Sequence, residues 1–110
     1  MNFDTLSVRE EMILLAIISL QPDAYAFAIK KAIKDEVDLA LSLGTIHTIL
    51  YRLENRGLLK SELGGSSDKR GGRSKRLFSV TSRGREIVNQ IQAARQQLWS
   101  NISPQNLSFE

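Results

Sequence analysis

The chain has 110 residues, 42% hydrophobic and 25% charged, with no cysteine and a formal net charge of +3. That is one ordinary globular domain with apolar material for a single core; the lack of thiols excludes a disulfide framework and a thiolate metal site, and it fits a reducing, cytoplasmic setting. The longest apolar stretch, Met12 to Ile18, falls well short of the ~20 residues of a membrane span, and Asp4, Glu10 and Glu11 occupy the place of a signal peptide's basic leader.

The modest total charge hides a segregation along the chain. Residues 1–46 carry four Lys/Arg against seven Asp/Glu, residues 47–85 carry ten against three, and residues 86–110 carry one against two. The middle of the chain is therefore strongly basic, and its field attracts a polyanion.

Ser7, followed by Glu10 ahead of an apolar run, predicts a capping box and a first helix from Val8 to about Leu20, stopped by Pro22. Met12 to Ile18 is apolar almost all round, so this helix is either central to the core or shared with a second subunit. A second, amphipathic helix is predicted from Ala24 to Val37, with Tyr25, Ala28, Ile29, Ala32, Ile33 and Val37 on one stripe.

Ser42 is the predicted N-cap of a third helix, Leu43 to Arg56, which separates into two faces at the α-helical period. Leu43, Ile46, Ile49, Leu50 and Leu53 fall together, and His47, Thr48, Tyr51, Arg52 and Asn55 fall opposite. The second face mixes imidazole, hydroxyl, phenol, guanidinium and amide groups, a set suited to base edges and phosphates. A merely solvated face more often carries Glu/Lys pairs.

Gly57 is the expected left-handed stop, leading into a strand over Leu58 to Leu63 and a return strand over Arg76 to Val80. The Gly- and Arg-rich loop between them offers Lys69, Arg70, Arg73 and Lys75 to a phosphate backbone or minor groove; alone, the same loop reads equally as a solvated segment. Behind a recognition-type helix it reads as a wing.

Thr81 or Ser82 caps a last helix running to about Asn101, with Ile87, Ile91, Ala94, Leu98 and Ile102 on a stripe widened by Val88 and Trp99. The stripe outruns the expected core, which predicts pairing with a second copy, two-fold dimers being the commonest oligomers. Ile13, Ile17, Ile87, Val88, Ile91, Ala94, Leu98 and Trp99 are the candidate dimerisation residues. The predicted architecture is mainly α with a small β-hairpin: a winged helix-turn-helix over residues 1–81, a C-terminal dimerisation helix over 82–104, and a flexible tail over 105–110.

Three segments together resemble the PadR family of bacterial transcriptional regulators, in particular its short members with one C-terminal helix. They are Leu43-Gly44-Thr45-Ile46-His47 through Leu50-Tyr51-Arg52-Leu53-Glu54 to Gly57-Leu58-Leu59, then Gly71-Gly72-Arg73, then Val80-Thr81-Ser82-Arg83-Gly84-Arg85. His47 departs from the family's usual tyrosine, which bears on the base read, and Ser74 from its frequent proline, which loosens the wing.

The resemblance implies a homodimer whose third helices enter successive major grooves of double-stranded DNA at a palindrome with half-sites ~10 bp apart. It assigns Gly44 and Thr45, beside the Ser42 cap, to close phosphate approach, His47, Thr48, Tyr51 and Arg52 to bases or sugars, and Lys69, Arg70, Arg73 and Lys75 to the backbone. Many members are repressors released by an aromatic small molecule near the dimer interface. Trp99 invites that role, its plainer one being an aromatic packed against the other subunit's first helix.

Catalysis is not expected, nor is a cofactor or a metal: the chain has one histidine, no cysteine and no paired carboxylates framed by polar groups. A P-loop ending at Gly72-Arg73-Ser74 would need lysine for Arg73 and glycine at Ser67. The rival reading is a winged-helix module for protein or RNA. A reader of single-stranded RNA would offer several stacking aromatics, and the basic region has Tyr51 and Phe78.

Overall fold

The computed structural model describes residues 6–64 and 75–109. Its first helix, α1 (Val8–Ser19), starts at the expected capping box: Glu10 N–H donates to Ser7 Oγ at 3.1 Å, and Ser7 N–H donates to Glu10 Oε1 at 2.8 Å. Two amides that a helix start leaves orphaned are thereby satisfied, worth about 1 kcal/mol. The helix is central to the core, with Ile13, Leu14 and Ile17 wholly buried, yet Leu15 and Ile18 stay exposed on its other side.

Helix α2 (Ala26–Val37) begins two residues later than its apolar stripe suggests. Ala24 is buried in the turn before it, and its carbonyl accepts the Phe78 N–H at 2.8 Å, which keeps that backbone out of the helix. Ile29 and Ile33 supply the buried face, whereas Val37 is exposed. The helix ends on Asp38 at φ 56°, a left-handed cap that aspartate tolerates better than most residues and that here pairs with Lys34.

Helix α3 (Leu43–Asn55) is capped by Ser42, whose Oγ accepts the Thr45 N–H at 3.1 Å. It buries Ile46, Ile49, Leu50 and Leu53 against the core. Gly57, at φ 78°, turns the chain into strand β1 (Leu59–Leu63), which pairs antiparallel with β2 (Arg76–Val80) in a register from Leu59 opposite Val80 to Leu63 opposite Arg76. Leu58 lies outside the strand because its backbone closes the corner: its N–H donates to the Leu53 carbonyl and its carbonyl accepts from Thr81 N–H, each at 3.0 Å. Gln21 Nε2 ties β2 to α1, donating to the carbonyls of Phe78 at 2.8 Å and Ile17 at 3.0 Å.

Helix α4 (Ser82–Ser100) is capped by Thr81, whose Oγ1 accepts the Gly84 N–H at 3.1 Å and donates to the Gly57 carbonyl at 2.8 Å. One residue thus starts the helix and pins it to the corner after α3. Gly84 is needed for the same contact: a Cβ there would lie 2.4 Å from the Leu58 carbonyl oxygen and 2.6 Å from Val80 Cγ1. Farther along, Arg95 Nη2 donates to the buried Glu11 carboxylate at 2.6 Å, bracing α4 on α1.

Past α4 the chain forms an exposed 3-10 turn over Pro104–Leu107, which overlaps the segment expected to be a flexible tail. Pro104 presets φ for the turn, and the Asn106 N–H closes it on the Ser103 carbonyl at 2.9 Å. The arrangement of helices and hairpin is the expected winged helix-turn-helix followed by one long helix. No helix among the described residues is long and apolar enough to cross a membrane.

Candidate nucleic-acid interface

Because Ile46, Ile49, Leu50 and Leu53 face the core, the 3.6-residue period turns His47, Thr48, Tyr51, Arg52 and Asn55 outward, and all five are exposed. Leu43 departs from the predicted buried face. It is 39% exposed, because the first helical position overhangs the end of the core.

The start of α3 is a surface of backbone and small polar groups. Ser42 Oγ satisfies the Thr45 amide and donates to Thr45 Oγ1 at 3.0 Å, so these two side chains serve the cap. The amides of Leu43 and Gly44 are those an α-helix leaves without an internal acceptor. A Cβ on Gly44 would meet nothing nearer than Ser42 Oγ at 3.9 Å, so packing within the protomer does not require a glycine there.

A concavity of about 650 Å³ lies between the starts of α1 and α3, lined by Ser42, Gly44, Thr45, Thr48 and Arg52 on one side and by Ser7 and Arg9 on the other. Arg9, on this wall, is a residue that the sequence had not singled out. Its signal was local: a cation in the first turn of a helix opposes the macrodipole, and a residue placed against that preference invites a reason.

Arg52 is not wholly free to read a base. Its Nη1 stands 3.9 Å from Glu10 Oε2, and Arg56 Nη1 stands 3.7 Å from Glu10 Oε1. The capping-box carboxylate of α1 thus also steadies the basic side of α3. Glu54, near the end of α3, accepts from Ser61 Oγ at 2.8 Å, and Ser61 Oγ accepts from Arg76 Nη1 at 3.1 Å. This relay holds both hairpin strands at a set angle to the outward face.

Of the expected wing residues, Lys69, Arg70 and Arg73 lie outside the described residues. Lys75 is described, and its ammonium sits over the Tyr25 ring, 4.0 Å from the centroid. The contact fastens the root of the hairpin to the start of α2, at roughly 0.5–1 kcal/mol for an exposed cation–π pair.

The candidate dimerisation residues divide sharply. Ile13 and Ile17 are 0% exposed and Ile87 and Val88 nearly so, which makes them core of the single chain with no surface left for a second subunit. Ile91 and Ala94 are half-buried, while Leu98 and Trp99 are 70% and 58% exposed. Val8 at the start of α1 is 60% exposed, and within the apolar run that follows it the uncovered side chains are Leu15 and Ile18, which the sequence did not single out. The solid apolar run of α1 hid them, since periodicity cannot choose a face when every face is apolar.

Comparison with known proteins agrees with this geometry. No curated protein matches the chain. Among solved structures, a PadR-like transcriptional regulator from Bacillus cereus superposes with a TM-score of 0.73 at 20% identity, over 92% of this chain and 93% of that one. A PadR family regulator from Eggerthella lenta gives 0.67 at 22% identity, over 93% and 86%. One from Clostridium difficile gives 0.67 at 23%, over 89% and 98%. These likenesses establish the winged-helix fold. The model of the transcriptional regulator PadR-like family matches residues 14–90, which run from the middle of α1 to the first half of α4 and so take in the capped α3, the hairpin strands and the Gly84 corner. The chain therefore belongs to the PadR-like family of transcriptional regulators.

Proposed function

We propose that the protein is a homodimeric repressor that occupies a palindromic operator in double-stranded DNA. The observation that carries this reading is the division of α3: one side is wholly committed to the core, and the other presents His47, Thr48, Tyr51 and Arg52 beside a basic hairpin. Such a helix inserts in the major groove, its polar side chains reading base edges. Gly44 and Thr45 bring backbone amides to a phosphate, Arg9 reaches the same strand from α1, and the wing cations Lys69, Arg70, Arg73 and Lys75 follow the neighbouring backbone.

Dimerisation is supported by the uncovered apolar side chains of α4 and α1. Leu98 and Trp99, past the half-buried Ile91 and Ala94 on the same stripe of α4, and Leu15 and Ile18 on α1 are large apolar side chains that a second copy would cover. Repression follows from size, because a dimer of this chain offers little surface for recruiting polymerase. Trp99 is the candidate contact for a planar aromatic effector that releases the operator. Trp99 fluorescence unmoved by a varied panel of aromatic compounds counts against that part of the reading.

The test is selection of bound duplexes from a random DNA pool at moderate salt. Enrichment of a palindrome with half-sites ~10 bp apart is the expected result. Only weak, salt-sensitive binding without enrichment would hand the lead to a protein- or RNA-binding module.

A further inference from the structure

Phe27 in the first turn of α2 and Leu43 at the first position of α3 are 55% and 39% exposed, and they line one concavity of about 390 Å³ at the side of the reading face. His47, Lys75 and Arg76 border the same concavity. Scattered exposed apolar residues need no explanation. Two that come from different helices and meet in a cleft rimmed by cations, next to a polar helix face, do.

The charge of the rim selects a polyanion, and the apolar floor selects the part of that polyanion without polar atoms. In the major groove of a duplex only thymine offers such a group, its 5-methyl. The first residues of a recognition helix are also those that lie against base edges. We infer that Leu43, backed by Phe27, seats the methyl of one thymine in each half-site of the operator. This rests on the DNA-binding reading above and adds a specificity residue to it. Lys75, its ammonium over the Tyr25 ring, lines the same cleft and puts positive charge beside it.

The experiment uses the operator recovered by selection, with each thymine in turn replaced by deoxyuridine, which removes the methyl and nothing else. For wild-type protein, one thymine per half-site is expected to cost about fourfold in affinity on replacement, the worth of one buried methyl. Leu43→Ala is expected to bind the unmodified operator more weakly and to bind thymine and uracil at that position alike, with Phe27→Ala in between. The wild-type arm needs no variant to fold.

If no thymine in a tight, specific operator discriminates against uracil, the inference is overturned while the DNA reading stands. The same holds if Leu43→Ala discriminates as strongly as wild type. A selection that yields no operator sinks the DNA reading itself, and this inference with it.

Discussion

Gly84→Ala sets two ordinary effects against each other. Helix propensity alone predicts a gain of up to ~1 kcal/mol, because glycine is a poor helix former and position 84 lies inside α4. Packing predicts the opposite. The new Cβ would stand 2.4 Å from the Leu58 carbonyl oxygen, whereas carbon–oxygen contacts settle near ~3.3–3.6 Å, so α4 must lift from the corner by about 1 Å. Forced shifts of this kind cost about 1–3 kcal/mol. The same movement strains the Thr81 N–H to Leu58 carbonyl bond, worth about 1 kcal/mol.

Net of propensity, the loss should be about 1–3 kcal/mol, centred on about 2 kcal/mol, a sizeable share of the ~5–15 kcal/mol that holds a domain together. Urea denaturation at fixed protein concentration measures it, with the midpoint expected to fall by about 1 M for a slope of ~2 kcal/mol per M. Gly57→Ala is the comparison: it has open space but a φ of 78°, so it should cost only about 1–2 kcal/mol of backbone strain. An unchanged or raised midpoint for Gly84→Ala would refute the close approach of α4 to Leu58.

Gly44→Ala should leave the urea midpoint unchanged or raise it slightly, since a Cβ there meets only Ser42 Oγ at 3.9 Å, yet weaken operator binding in a gel-shift titration. Equal affinity would show that no phosphate approaches that backbone. Arg9→Ala should weaken cognate and random duplexes alike and reduce the salt slope by about one per protomer, whereas Thr48→Ala should weaken the cognate site preferentially; identical behaviour of the two variants would end that division of roles. Arg95→Ala should cost about 1–2 kcal/mol in urea denaturation by stranding the buried Glu11 carboxylate, discounted because the Arg95 side chain is itself largely exposed; a wild-type midpoint would mean that the brace contributes nothing. Leu98→Glu should shift the mass seen by light scattering toward the monomer with the fold intact, and an unaltered dimer would place the interface elsewhere.

Much of this molecule was legible along the chain. The capping box at Ser7 and Glu10, the Ser42 cap, the left-handed Gly57 and the two faces of α3 are consequences of hydrogen bonding and periodicity within a few residues. Sequence order alone therefore determines them, and with them the family resemblance and the two-faced third helix. Other features depend on which distant segments meet. Periodicity could not tell that Ile13 and Ile17 would fill the core while Leu15 and Ile18 faced out, because α1 is apolar all round and only its neighbours choose its inner side. Nor could it join Glu10 to Arg52 and Arg56, Glu11 to Arg95, or Phe27 to Leu43. Those residues lie on different helices and are brought together by the way the helices pack, which is a property of packed side-chain volume and not of spacing in the chain. The sequence determined that α3 has one apolar and one polar face; the tertiary structure decided what surrounds the polar face, and so which further side chains border it.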